Sequence, residues 1–301
     1  MIPPTVFHPA YEASLPAGHR FPMRKYGRLA EVLVERGLVP RGFTTPEPAS
    51  AALLHFAHDP AYVDAVLSLA VPRAIERAIG LPVDASVVRR SCASVGGTLL
   101  AARLALAHGL AGSAAGGSHH ARRGQGAGFC VFNDVAVAAR ALQAEGAIAR
   151  ALVVDCDVHQ GDGTADCLSR SPDLFTFSIH GEKNYPTHKI AGDLDIGLPD
   201  GLDDAAYLDL LEARLPPLLD ALAPDLVFYN AGVDPHRDDR LGRLALTDEG
   251  LYARDRFVVG QARARNIPLV AVIGGGYAHD VEALAARHAL VFQALAANAL
   301  G

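Results

Sequence analysis

A chain of 301 residues, half of them apolar and a fifth charged, carries enough apolar material for one sizeable core, since single α/β domains often run to ~250 residues or more. That composition excludes a disordered chain. The formal charge of −6 argues against a basic nucleic-acid-binding surface and leaves room for a local acidic mouth that attracts a cationic substrate.

From the start of the chain, Met1 to Tyr11 holds three prolines and no basic cluster leading into an apolar run. It does not read as a signal peptide, and an intracellular, cytoplasmic protein is expected. Helices are expected over residues 26–36, 60–68 and 91–107. The most apolar long stretch, Leu99 to Gly117, carries Arg103, His108 and four glycines, too interrupted for a membrane span and better read as a buried helix. A further helix covers residues 135–145 and ends before Gly146. Four short apolar runs follow or alternate with helix-length segments: residues 151–155, 174–178, 226–229 and 267–273. Such runs suit parallel strands buried on both faces. Between them, Pro216-Pro217 is expected to interrupt or offset the helix of residues 204–223. Thr247-Asp-Glu supplies an N-cap and an acidic first turn for the helix reaching Arg265. Strand then helix, repeated, means α/β. With no linker and no internal repeat, residues 1–301 read as a single domain. Cys92, Cys130, Cys156 and Cys167 show no CxxC pairing and are expected to be reduced thiols.

In open α/β sheets a ligand sits outside the carboxyl ends of the strands, and here those ends are chemically rich. The first run exits into Asp155-Cys-Asp157-Val-His159-Gln-Gly-Asp162, the second into Ser178-Ile-His180, the third into Asn230-Ala-Gly-Val-Asp234-Pro-His236 and the fourth into Gly274-Gly-Gly-Tyr277. Asp157 and His159, two apart, point to one side if the strand geometry continues, and Asp234 closes a set of two carboxylates and one imidazole. That set leaves positions open for water and substrate, the arrangement of a catalytic zinc site. An isolated DxH is more often a turn cap beside a surface histidine; followed by GDG and flanked by strands, it favours the metal. His119-His120 lies between Gly116-Gly-Ser118 and Gly124-Gln-Gly-Ala-Gly128. Adjacent histidines are usually accidental, but Asp155 and Asp162 offer each an orienting partner, which makes an acid/base role credible. Tyr277 is either a half-buried turn residue or a phenol donor to an oxyanion. Phe129 and Tyr185 are either plain core aromatics or the walls of a narrow apolar channel.

At these residues the chain resembles the zinc-dependent histone deacetylase family of the arginase/deacetylase superfamily, including bacterial homologues and acetylpolyamine amidohydrolases. The matching motifs are His119-His120-Ala, Gly128-Phe-Cys130, Asn133-Asp-Val-Ala, Asp155-x-Asp157-x-His159-x-Gly-Asp-Gly163, Ser178-Ile-His180, Ala231-Gly-Val-Asp234-Pro-His236 and Gly274-Gly-Gly-Tyr277. Asp234 to Gly242 and His19 to Tyr26 are most similar to the class IV branch and its bacterial relatives. The resemblance implies the single-domain arginase/deacetylase fold, an α/β architecture with a central parallel sheet of about eight strands flanked by helices on both faces. It implies one zinc per chain held by Asp157, His159 and Asp234. His119 and His120 would move protons, oriented by Asp155 and Asp162 respectively, and Tyr277 would bind the oxyanion. It also implies potassium near Asp155, Asp157, His159, Ser178 and Ile179, with Gly128, Phe129 and Tyr185 on the substrate channel. Three features depart from the family pattern: Gly116-Gly-Ser118 replaces Arg-Pro-Pro-Gly, no counterpart of the class I acidic residue at the pocket mouth is found, and the residues after His180, Gly-Glu-Lys-Asn-Tyr185-Pro186, differ from the class I pattern.

The expected activity is zinc-dependent removal of an acyl group from an N6-acyl-lysine side chain in protein or peptide, without direct contact to nucleic acid or membrane. Rival readings are an acetylpolyamine or other small-amine deacetylase, an arginase-like hydrolase with two manganese ions, and a non-catalytic acyl-lysine-binding module. An arginase-like site needs carboxylates bridging two ions, whereas Asp155 and Asp162 have histidines to serve. Retention of three ligands, both histidines and Tyr277 argues against the binding module.

Overall fold

A computed structural model describes residues 2–169 and 171–299. In chain order its elements are β1 (Thr5–Val6), α1 (Lys25–Glu35), α2 (Ala51–Leu54), α3 (Pro60–Leu67), α4 (Arg73–Ile79), α5 (Ala85–His108), β2 (Leu110–Ser113), α6 (Asp134–Ala144), β3 (Ala151–Asp155), α7 (Asp162–Leu168), β4 (Leu174–Gly181), β5 (Leu194–Leu198), α8 (Asp204–Leu222), β6 (Leu226–Asn230), α9 (Asp248–Ala264), β7 (Leu269–Val272) and α10 (Val281–Asn298). Among the described residues seven strands form one sheet in the order β1-β2-β7-β6-β3-β4-β5, against the eight or so the resemblance implies. Every pairing is parallel. Every residue of β3, β6 and β7 is buried, which is why these strands read as unbroken apolar runs and not as alternating ones.

The order of strands places the site. From β3 the chain builds outward through β4 to β5, then returns to the other side of β3 as β6 and continues to β7. The reversal opens a crevice at the carboxyl ends of β3 and β6, where a doubly wound sheet binds its ligand. Register puts Asp155 level with both Ser178 and Asn230, so three polar strand ends lie side by side. Side-chain caps start the helices where the polar residues fall: Asp84 accepts from the Ser86 and Val87 amides, Thr247 from Gly250, and Asp280 from Glu282 and Ala283.

Two local expectations are corrected. The stretch Leu99 to Gly117 is not one helix: α5 stops at His108, Gly109 turns with φ +87°, and residues 110–113 form strand β2. Small residues there, Ala111 and Gly112, bring the strand close to the Phe292 ring of α10, and a Cβ on Gly112 would lie 2.7 Å from it. Pro216-Pro217 does not end its helix, since α8 runs through both to Leu222. Among the described residues no helix is long and apolar enough to cross a membrane.

Candidate active site

Strand β3 ends at Asp155, and the segment that follows is irregular. Asp157 and His159 therefore do not share a strand face, as their spacing suggested; a turn brings them together. Asp155 builds that turn by accepting the Asp157 amide at 3.1 Å, and Asp157 accepts the His159 amide at 3.0 Å. Asp234, beyond β6, accepts the Val158 amide at 2.8 Å, and the Gly275 amide donates to Asp157 at 2.7 Å. A Cβ on Gly275 would overlap the Asp234 carboxylate, so only glycine lets the β7 turn approach this closely.

The result is a buried cluster in which one ligand atom each from Asp157, His159 and Asp234 lies within 4.8 Å of the others. His159 Nδ1 is 3.0 Å from both Asp157 Oδ1 and Asp234 Oδ2. Burial alone would depress the His159 pKa, but the two carboxylates outweigh it and raise it to about 10. Burial and repulsion from Asp157 push Asp234 up to about 7. Two buried carboxylates and one imidazole compete for a proton at the point where a divalent cation satisfies all three, so the donors fit a zinc ion with open coordination positions.

The histidine loop is pinned from beneath. Asp134, buried at the start of α6, accepts the Gly117 and Ser118 amides at 3.1 and 2.8 Å. His119 Nδ1 lies 2.7 Å from Asp155 Oδ2, and His120 Nδ1 lies 2.7 Å from Asp162 Oδ1. An ionised carboxylate only accepts, so each Nδ1 carries its proton; His120 Nε2 is then the free ring nitrogen, whereas His119 Nε2 lies 3.7 Å from Asp157 Oδ1. The two environments differ. For His120, burial and the neighbouring His119 charge lower the pKa to about 4, against the opposing pull of Asp162. For His119, burial lowers it, yet Asp155 and Asp157 prevail and raise it to about 9. Tyr277 is buried, its ring centroid 6.1 Å from that of His159. Burial, then the Asp157 and Asp234 charges, push its phenol well above the usual range, so it stays a protonated donor.

A cavity of about 350 Å³ leads to this cluster and is lined by His120, Gly128, Phe129, His159, Tyr185 and Tyr277 among others. Tyr185 stands edge-on to His120 at 4.8 Å between ring centroids, and Phe129 packs on Tyr277 at 5.7 Å. Gly128 sits between, at φ +54°, with no room for a Cβ against the His120 ring. Beyond His119 and Tyr277 lies a space of only about 20 Å³, bordered by Arg90, Gly117 and Cys130. All of the proposed site residues thus meet at one end of the sheet, with Ser178 and Ile179 on the adjoining strand β4. Ser178 Oγ lies 2.9 Å from His180 Nδ1.

Reasoning along the chain assigned no role to several supporting residues. Asn230 Nδ2 donates to Asp155 at 2.9 Å, the Tyr277 amide donates to Asp239 at 2.7 Å, and buried Lys25 donates to the Gly274 carbonyl at 3.2 Å. Arg122 grips Asp162 through Nε and Nη2 at 3.0 and 2.7 Å. Its position two residues after His120 was the one available signal. Replacing Arg122 by methionine removes the positive partner that holds Asp162 in place, so kcat is expected to fall ~10-fold, about 1.4 kcal/mol. KM should hardly move, because Arg122 is a positioning residue. Steady-state kinetics with unchanged kcat would remove it from that role.

The histone deacetylase domain family matches residues 19–294. The chain belongs to this family. It is 49% identical over 292 residues to an uncharacterised protein of Picosynechococcus sp., covering 97% of each chain. It is 32% identical to histone deacetylase 2 of Arabidopsis thaliana, covering 86% of this chain and 70% of that protein. Among solved structures, the acetylpolyamine aminohydrolase of Burkholderia pseudomallei superposes with a TM-score of 0.79 at 25% identity, over 97% of this chain and 98% of that one. As a deacetylase-family protein the chain is an amide hydrolase, and the fold is that of this superfamily.

Proposed function

We propose that this deacetylase-family protein is a zinc-dependent, cytoplasmic amidohydrolase that removes an acyl group, acetyl first among candidates, from N6-acyl-lysine. The observation that carries this reading is the convergence of Asp157, His159 and Asp234 beside two histidines whose Nδ1 atoms are each committed to a separate carboxylate. Zinc held by those three residues supplies Lewis-acid polarisation of the scissile carbonyl and of the attacking water. Potassium is proposed beside Asp155, Asp157, His159, Ser178 and Ile179.

The chain's own groups divide the remaining work. Gly128, Phe129 and Tyr185 line the channel and hold the apolar stem of the substrate amine. His120, kept neutral and with Nε2 free, takes the proton of the attacking water and returns it to the leaving amine. His119, oriented by Asp155, adds positive charge beside the developing oxyanion, and the Tyr277 hydroxyl donates to it. The space of about 20 Å³ beyond His119 holds about one water molecule, which suits a methyl better than a long acyl chain. Four buried free cysteines accord with a reducing compartment. Likeness to the aminohydrolase structure supports a second reading, an acetylated polyamine as substrate. Incubation with acetyl-lysine peptides and with N-acetylputrescine, following free amine and released acetate, separates the two. Release from neither overturns the amidohydrolase reading.

A hydroxamic acid with an apolar linker is expected to inhibit competitively at sub-micromolar concentration, because it meets donors already arranged for the transition state. Calorimetry on the zinc-loaded and the chelator-treated protein tests this. Binding that survives metal removal would contradict the open-site assignment.

A further inference from the structure

The mouth of the cavity has the opposite sign to the protein as a whole. The chain carries a net charge of −6, yet the lining of the 350 Å³ cavity includes Arg20, Arg77, Lys183 and Arg243 and no aspartate or glutamate. All four side chains belong to exposed residues. The acidic mouth allowed for by composition is therefore absent. Asp200 pairs with two of the four, at 3.0 Å from Arg243 and 3.7 Å from Lys183. Arg20 lies 4.8 Å from the Phe129 ring centroid. Neither Arg20 nor Arg77 has an ion-pair partner among the described residues, and Glu76, next to Arg77 in the chain, is turned to the Val83 amide at 3.1 Å.

Which end of a substrate meets these cations follows from the shape of the site. The space of about 20 Å³ beyond His119 cannot take the bulky half of an amide, so that half projects outward past Phe129 and Tyr185. The amine half, and whatever flanks it, faces the arginines. Guanidinium forks match carboxylates in geometry as well as charge. A cationic partner would meet repulsion with no carboxylate in the lining to relieve it. We propose that the substrate of this protein is an acetyl-lysine flanked by acidic residues, and that Arg20, Arg77, Lys183 and Arg243 select it against lysine-rich tails and against polyamines. The selection builds on the amidohydrolase reading above, since it assumes that an acylated amine enters this cavity.

The test uses two labelled peptides that share a central acetyl-lysine and differ only in their flanks, Asp and Glu in one, Lys and Arg in the other, with N-acetylputrescine as competitor. Binding to the zinc-loaded protein is followed by fluorescence anisotropy and hydrolysis in parallel. At low salt the acidic peptide is expected to bind ~10-fold or more tightly, and the preference to shrink to ~2-fold near 1 M NaCl, where charges are screened beyond about 3 Å. The double variant Arg77→Glu, Arg243→Glu should reverse the preference while keeping the circular dichroism of the parent. The salt series on the unaltered protein reads the same property if that variant does not fold. Equal binding of the two peptides at low salt, or tighter binding of the basic peptide or of acetylputrescine, would overturn the proposal. Selective binding of the acidic peptide without hydrolysis would leave it standing and remove the amidohydrolase reading; hydrolysis without charge preference would do the reverse.

Discussion

Changing Asp234 or Asp157 to alanine is expected to abolish metal binding and amide hydrolysis together. Each supplies one of three converging atoms, and a site reduced to one carboxylate and one imidazole no longer encloses an ion. Each change takes away no apolar packing and relieves the repulsion between two buried carboxylates, but it orphans buried amides, Val158 for Asp234 and His159 and Gly275 for Asp157, so the fold should survive with a lowered melting temperature. Two measurements separate this outcome from simple misfolding. Elemental analysis of the purified variants should show less than one tenth of the metal in the parent. A chelator should lower the melting temperature of the parent, since bound metal at ~100 times its dissociation constant adds about 2.7 kcal/mol, and should leave that of the variants unchanged. Full metal occupancy in either variant would overturn the ligand assignment.

Tyr277→Phe is expected to reduce kcat/KM by ~10²–10³, or about 2.7–4 kcal/mol of transition-state stabilisation, the usual cost of losing one oxyanion donor. The change deletes one oxygen from a buried ring that packs on Phe129 and Phe21, so packing is retained. The turn that positions it is held independently, through the Tyr277 amide on Asp239 and the Lys25 ammonium on Gly274. Metal content and thermal stability should accordingly match the parent. The loss should fall on kcat with KM nearly constant, because the hydroxyl is needed most where negative charge develops. A variant with undiminished kcat/KM would remove Tyr277 from the mechanism.

The site's core residues were legible along the chain because the fold delivers them in a simple way. Asp155, Asn230 and the Gly274 turn each end a strand whose burial on both faces makes it an unbroken apolar run, so the polar residues beyond stand out against it. The histidine partners were legible for a related reason: Asp155 and Asp162 flank the proposed ligands Asp157 and His159 at short range, and each finds one histidine of a single loop. Strands β1, β2 and β5 were not legible. Two of them span only two and four residues, and β5 alternates between partly buried and exposed residues until Leu198, so none makes the apolar run that marks a buried strand.

The sequence alone thus determined which polar residues gather at the strand ends, since an α/β chain puts its polar loops at one rim whatever the details of packing. Only the tertiary structure decided three matters. It set how Asp157 and His159 meet, through a turn capped by Asp155 and not through strand periodicity. It carried α8 through Pro216-Pro217, where local propensity favoured a break. It also decided the sign of the mouth, because Arg20, Arg77, Lys183 and Arg243 come from four separate segments. No local pattern links those four, and net charge averages over the whole surface. The field at a cleft depends on which side chains the fold gathers there.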